Sequence, residues 1–403
     1  MWIERVIGFF FRRRHYWRSV SFDEISELYA SRLMTVFALN LVNLFMAVYL
    51  YRLGYTLIFI AIFYAVMNTL RALGSLLAAK YIAYAGPKHA VLAANIIRVF
   101  SMVALALVST YGFPAIVAFG LFQQAAIALY GLGYLVDFSK VRHLEHTGKE
   151  LGTMQLIEKA ARVVSPIIGG LLATFFSPIA VILVSAVLFI ASSVPLFRTI
   201  EPTKTRARIV FEGFPWRSSF VSFIAQFSAG YDYIASSMAW VLYVTIVVFA
   251  GAGVAVYSDL GWLLSIGVVA SMVATWFFGK VVDRRSGDIL YSAGAITNSV
   301  IHLFRAFTTT PVGVAGINVA NETMTTAYVL PFMRLQFDLA DNSGHRILYM
   351  TLVQMAEALG EAVACALFAL IIWVFGRQPG FQFFFVTAAA FELLLLTARR
   401  YTK

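Results

Sequence analysis

The chain has 403 residues, 61% hydrophobic and only 13% charged, where a soluble globular domain carries roughly a quarter charged. That balance excludes an ordinary soluble globule, and a single cysteine, Cys365, excludes an intrachain disulfide framework. The net charge of +11 is compatible with a nucleic-acid partner or with a membrane-topology signal, and its distribution along the chain decides between them.

Residues 1–28 open on an apolar stretch, continue into Arg12-Arg13-Arg14 and lack a small-residue cleavage site. They read as a retained amphipathic lead-in on the membrane surface. Apolar runs near the length an α-helix needs to cross a hydrocarbon core then recur to the end. Spans are expected at 29–51, 55–79, 88–110, 114–136, 151–175, 178–198, 218–248, 256–278, 289–308, 312–335, 347–374 and 380–398. The runs are continuous rather than alternating, and lipid does not tolerate unpaired backbone groups, so they are helices and not barrel strands. The polar segment 199–217 divides them into a six-helix bundle at 29–198 and a second at 218–398, with a tail at 399–403. With the N-terminus inside, and Lys88, Arg198 and Arg334 at span ends counted with the adjoining loops, 23 of the 31 Lys and Arg fall in cytoplasmic segments, only Arg52 and Arg377 fall outside, and six lie within spans. This bias puts both ends in the cytoplasm, makes segment 199–217 a cytoplasmic linker and gives the charge a role without nucleic acid.

Gly148 to Leu156, opening the fifth span, is weakly repeated 196 residues later by Gly344 to Leu352, opening the eleventh. Two halves related by a parallel repeat are an architecture of secondary transporters. The loop after the eighth span reads Gly279-Lys280-Val281-Val282-Asp283-Arg284-Arg285-Ser286-Gly287, and the fifth span carries Gly152, Ala161, Ser165, Pro166, Gly169 and Gly170. On these two stretches the chain resembles the major facilitator superfamily. The first is similar to its Gly-x-x-x-Asp-Arg-x-x-Gly loop signature. The second matches the spacing of its antiporter motif, Gly-x8-Gly-x3-Gly-Pro-x2-Gly-Gly, with Ala and Ser at two glycine positions. Two departures stand beside these matches: the loop at Gly86-Pro87-Lys88 has no aspartate, and the fourth span has Gln123-Gln124 near the place where the exporters usually carry arginine. The resemblance implies an all-α membrane protein of two six-helix bundles, a site at the bilayer midplane between them, and proton-driven export of drugs or metabolites.

In that architecture Asp283 would approach the N-terminus of the fifth helix, where free N–H groups favour a carboxylate. Gly279, Asp283, Arg284 and Gly287 are therefore expected to form a conformational latch, the alternative being a solvated basic loop. Gly169 and Gly170 after Pro166 read as close helix packing, with or without a role against proton leak. Helices one, four, seven and ten of the superfamily line its cavity, which would place there Asn40, Asn43, Gln123, Gln124, Tyr231, Asp232, Asn318, Asn321 and Glu322. Acids at mid-depth are costly and usually face an aqueous path, so Asp232 and Glu322 are candidates for proton coupling, against a static polar pairing. Glu158 and Arg162, and Glu357 and Glu361, are four apart, and Arg71 and Arg98 lie within spans. Helices two and eleven meet across the halves in the superfamily, so Arg71 could pair there with Glu357 or Glu361, or else within its own half.

His143-Leu144-Glu145-His146 lacks the spacing and ligand count of a zinc site, so no metal is expected. No phosphate-binding Gly-x4-Gly-Lys-Ser/Thr loop or nucleophile–base set occurs, which points away from ATP, cofactors and hydrolysis. The expected protein is a monomeric plasma-membrane transporter with lipids, a small-molecule substrate and protons as partners. Proton-coupled efflux of small hydrophobic or amphipathic molecules leads, on Tyr231, Tyr233, Met238 and Trp240 as adaptable apolar surface. A sugar or organic-anion importer and an intramembrane lipid-modifying enzyme are the alternatives.

Overall fold

Helix boundaries fall where the sequence supplies caps and turns. Thr56 accepts from the Phe59 N–H at 3.1 Å, Ser177 from Ala180 at 3.1 Å and Thr310 from Gly313 at 3.1 Å, the last two with proline at the first helical position. Gly86 (φ 101°) and Gly376 (φ 78°) take left-handed backbone in the tightest connections. The computed structural model describes residues 22–141, 147–197, 209–251, 253–283 and 287–401.

The long helices are α1 (Phe22–Arg52), α2 (Leu57–Ala85), α3 (Pro87–Ala106), α4 (Phe113–Val141), α5 (Thr147–Phe175), α6 (Pro178–Ser193), α7 (Trp216–Ile234), α8 (Val256–Asp283), α9 (Gly287–Arg305), α10 (Pro311–Asn342), α11 (Arg346–Phe375) and α12 (Arg377–Glu392). Helix α7 runs on through π turns at Ala235–Ala239 and Val244–Val248, and α12 through the 3-10 segment Leu393–Tyr401. Among the described residues there is no strand, and nine helices are long and apolar enough to cross a membrane. The other three, α5, α9 and α10, are of comparable length but carry Glu158, Lys159, Arg162, His302, Arg305 and Glu322. These three helices contribute part of the polar interior, and the rest comes from single charged residues on the apolar spans. Large apolar side chains point outward, among them Leu77, Val187 and Trp373, as a hydrocarbon surround requires.

Within the first six helices α1 packs on α5 and α6, and α3 on α4 and α6; within the last six α7 packs on α11, and α10 on α8 and α9. Two further pairings, α5 with α8 and α2 with α11, join the sequence halves and are among the most extensive in the molecule. Small residues bring the first pair together. Gly170 lies against the backbone of Tyr257 and Ser258, Gly261 faces the Pro166 carbonyl, and Ser265 Oγ donates to the Val163 carbonyl at 2.7 Å. Helices α7 and α11 meet still more closely: Gly230 abuts the Glu357 carbonyl and Gly360 the Phe227 carbonyl, leaving no room for a Cβ at either.

At the end of the molecule holding Arg52, one apolar cluster runs through both halves, with Leu41 and Phe45 of α1, Leu242 beyond α7, Tyr257 of α8 and Phe368 of α11 buried in it. Arg52 reaches the carbonyl of Gly253 and holds its guanidinium 5.1 Å from the Tyr257 ring, which Phe45 meets edge-on at 5.3 Å. This end is closed.

Candidate functional site

Charged groups meet between the halves. Arg71 of α2 lies 2.8 Å from Glu361 of α11, with both side chains buried at 7% and 5% exposure. The geometry is an ion-pair contact rather than an aligned hydrogen bond, since Arg71 Nη2 has no qualifying acceptor. Glu357, one turn earlier, accepts from Gln354 at 3.3 Å. Arg162 of α5 pairs with Glu322 of α10 at 3.4 Å, half-exposed. Beside it the buried Lys159 donates to Thr326 Oγ1 at 2.6 Å and to the Ser271 carbonyl at 3.5 Å, tying α5 to α10 and α8. Two cations of α5 therefore face one acid of α10. The choice sequence left open for Arg71 resolves on Glu361.

A second polar group lies inside the first six helices. Arg32 of α1 forks onto Glu158 of α5 at 2.8 and 3.1 Å and covers the Tyr134 ring at 4.2 Å. Behind it the buried Arg98 of α3 sits 4.3 Å from the Tyr130 ring and donates to Asn95 at 3.4 Å. Its Nε lacks a partner. Guanidinium–ring contacts of this kind hold a cation where no second carboxylate is at hand.

A third group lies within the last six helices and is the most completely built. Asp232 of α7 accepts from Ser236 at 2.8 Å and from Tyr328 of α10 at 2.7 Å, and lies 2.8 Å from His302 Nε2 of α9. Arg305 donates to Ser236 at 2.8 Å and to His302 Nδ1 at 3.1 Å, with its guanidinium 5.2 Å from the Trp240 ring. Glu392, at the end of α12, accepts from Asn298 at 2.8 Å. Asp232, His302, Arg305, Tyr328, Asn298 and Glu392 are all buried; Ser236, in the first π turn, is the member in partial contact with the surroundings. A π turn widens the helix and displaces side chains from their α positions, and here it brings Ser236 between Asp232 and Arg305.

The remaining predicted positions fall as follows. Asn40 donates to the Val36 carbonyl of its own helix at 2.7 Å, and Asn43 is exposed. Gln123 accepts from Ser101 of α3 at 3.2 Å, and Gln124 donates to Asn68 of α2 at 3.2 Å. These two amides tie α4 to its neighbours rather than meeting the charged pairs. Tyr231 stacks on Phe391 at 4.2 Å and bonds Thr387 at 2.7 Å, on the α12 side. Asn318 accepts from Trp240 Nε1 at 2.8 Å and donates to the Leu263 carbonyl at 3.1 Å; Asn321 is buried with its Oδ1 unpaired. Ser165 bonds the Ala161 carbonyl at 2.8 Å, Gly169 packs on the Leu41 backbone, and Ala161, Pro166 and Gly170 are buried along the seam. Gly279 and Gly287 are buried at the α8–α9 corner. The side chain of Asp283, all of Arg284, the His143 to His146 stretch and the surroundings of Gly152 lie outside the described residues.

Sequence reasoning passed over His302, Arg305, Glu392 and Arg32. The first two close α9 and read as helix-end basic residues, while Glu392 is a lone acid in an apolar span. A charge inside a span was the available signal.

No protein-family model and no curated protein matches the chain. Solved structures do. The human organic anion transporter MFSD10 (TETRAN) aligns over 92% of this chain and 97% of its own, with TM-score 0.64 and 12% identity. The E. coli fucose:proton symporter FucP aligns over 94% and 98%, with TM-score 0.66 and 12% identity. A major facilitator superfamily structure of FucP in the outward conformation gives 93%, 99%, 0.63 and 12%. At this identity the likeness is one of fold, and it extends over nearly the whole chain.

Proposed function

We propose that this protein is a secondary active transporter working by alternating access, with twelve spans in two six-helix bundles at 29–198 and 218–398 and both ends in the cytoplasm. The observation that carries the reading is the nature of the contact between halves. Charged side chains, the buried pair Arg71 with Glu361 and the partly exposed pair Arg162 with Glu322, join helices that a permanently fused core would join with apolar side chains. A buried ion pair contributes little net stability because desolvation offsets attraction, so such a seam can part and re-form at modest cost. The fold shared with the two transporters supports the same reading. Substrate binds at mid-depth near Arg162 and Glu322, and closure of the Arg52 end belongs to one of the two access states. The loop Gly279, Asp283, Arg284 and Gly287 is proposed as the opposing latch, and the working unit as a plasma-membrane monomer.

Proton-coupled efflux of hydrophobic or amphipathic molecules is one form of this activity. Uptake of an organic anion is favoured instead by the pairing of Lys159 and Arg162 against the single acid Glu322. Reconstitution in liposomes separates the two. Amphipathic cations and organic anions are offered under pH gradients of either sign, with Arg162→Gln and Glu322→Gln alongside. Gradient-dependent flux that either substitution abolishes is expected. Flux of no compound under any gradient, or flux indifferent to both substitutions, refutes the assignment.

A further inference from the structure

The buried group on α7, α9, α10 and α12 does not balance its charge. Asp232 and Glu392 are acids and Arg305 is a cation, so the state of His302 decides the sum. Arginine can only donate, and Arg305 lies 3.1 Å from His302 Nδ1; that nitrogen is therefore the acceptor, and Nε2 carries the hydrogen given to Asp232 at 2.8 Å. The imidazole is neutral in this arrangement. The group then holds one negative charge more than it neutralises, enclosed among helices that face lipid, where an uncompensated charge is costly.

The oxygens show where the missing positive charge belongs. Asp232 receives three donors, from Ser236, Tyr328 and His302. Glu392 receives one, from Asn298, and its Oε2 has no partner although the side chain is 1% exposed. Asp232, His302 and Glu392 each bring a ligand atom within 4.8 Å of the others, a spacing that could hold a metal ion. The imidazole has no lone pair to give, however, with Nδ1 taken by Arg305 and Nε2 bearing its hydrogen. We propose that Glu392 binds a single proton on Oε2 and that this group, set inside the second half and away from the Arg162–Glu322 pair, is the site where the protein loads one proton.

The proton comes from water as hydronium and leaves to water; no other bond is made or broken. Ser236, partly exposed, is the contact between the group and its surroundings, and its hydroxyl touches both Asp232 and Arg305. Arg305 is the positioning residue. Its Nε lacks a partner, so it can turn from His302 toward Glu392 when the proton departs. Of the other titratable groups of the packed helices, Glu322 of α10 pairs with Arg162 and is felt by Arg305 through its charge alone. On α9 Tyr291 donates to the Leu395 carbonyl at 2.6 Å, on α7 Tyr231 bonds Thr387, and on α11 Glu361 is held by Arg71 and Glu357 by Gln354. Cys365 of α11 is buried, and Arg399 stands at the far end of the segment beyond α12.

This deepens the coupling part of the proposed function, and its test needs no substrate. Infrared difference spectra of the protein in nanodiscs are recorded across a pH titration, following the carbonyl stretch of a protonated carboxylic acid. One acid equivalent per chain is expected to titrate, to vanish in Glu392→Gln and to persist in Glu322→Gln and Glu361→Gln. In Asn298→Leu, which leaves Glu392 in place but removes its donor, the band is expected to shift. A band that neither Glu392→Gln nor Asn298→Leu alters overturns the assignment, and the Asn298 variant alone decides if Glu392→Gln does not fold. Sodium or zinc added at constant pH should leave the band unchanged; its loss means that the site takes a metal ion, which also overturns the proposal. Failure here leaves flux measurements untouched, whereas failure of flux leaves the band.

Discussion

Replacing Arg71 by methionine leaves Glu361 charged and enclosed, and replacing Glu361 by glutamine does the reverse. The separation is 2.8 Å and neither side chain is more than 7% exposed, so solvent does little to screen the pair. At an effective dielectric near 20 the attraction is about 6 kcal/mol, much of it spent in removing both groups from water. What a single substitution exposes is the unpartnered charge, at about 3–5 kcal/mol. Arg71→Met and Glu361→Gln are each expected to lose that amount in equilibrium unfolding from mixed micelles. The double variant Arg71→Met, Glu361→Gln should recover more than half of the summed loss, because it leaves no lone charge. Losses below about 1 kcal/mol for both single variants, or strictly additive losses, would show that water reaches the pair and that the α2–α11 seam is not closed around it.

Gly170→Val forces a side chain against the Tyr257 carbonyl, 2.5 Å from where its Cβ must lie, and should pry α5 from α8. Maleimide labelling of a cysteine placed at Phe45, in a Cys365→Ala background, is expected to rise several-fold, and unchanged labelling counts against a seam held by small residues. Gly360→Ala meets the Phe227 carbonyl with no space to yield and should cost about 1–3 kcal/mol in unfolding; a neutral result means that α7 and α11 stand farther apart. Trp240→Phe keeps an aromatic ring, though a smaller one, and strands Asn318 Oδ1, whose donor lies at 2.8 Å, for about 1–3 kcal/mol. Trp240→Phe combined with Asn318→Leu should restore part of that loss, and no recovery would place the cost in packing instead.

Much of the helix layout was legible because hydropathy and helix length obey one constraint, the thickness of the bilayer. The Gly-Pro corner at Gly86-Pro87 and the seam residues Pro166, Gly169 and Gly170 were readable for a similar reason, since turn chemistry and close approach each demand particular small residues. The polar interior was only partly readable. The i, i+4 spacing of Glu158 and Arg162 suggested a shared helix face, yet their partners are Arg32 and Glu322, 126 and 160 residues away along the chain. Spacing along a helix fixes direction but not the helix opposite. Asp232 stood out by its position in the seventh span, whereas Glu392, His302 and Arg305 gain meaning only when α9, α10 and α12 converge.

The mutual glycines of α7 and α11 have a mechanical consequence. Gly230 fits only the carbonyl of Glu357, and Gly360 only that of Phe227; a slip of one residue would set Cβ atoms against backbone at both points. The two helices are thus held in one axial register, like notched rails that cannot slide past each other. Asp232 rides on one and Glu361 on the other. A rigid shift of α7 would therefore carry α11 with it, and Glu361 with α11, so that Asp232 and the Arg71–Glu361 pair share one packed unit.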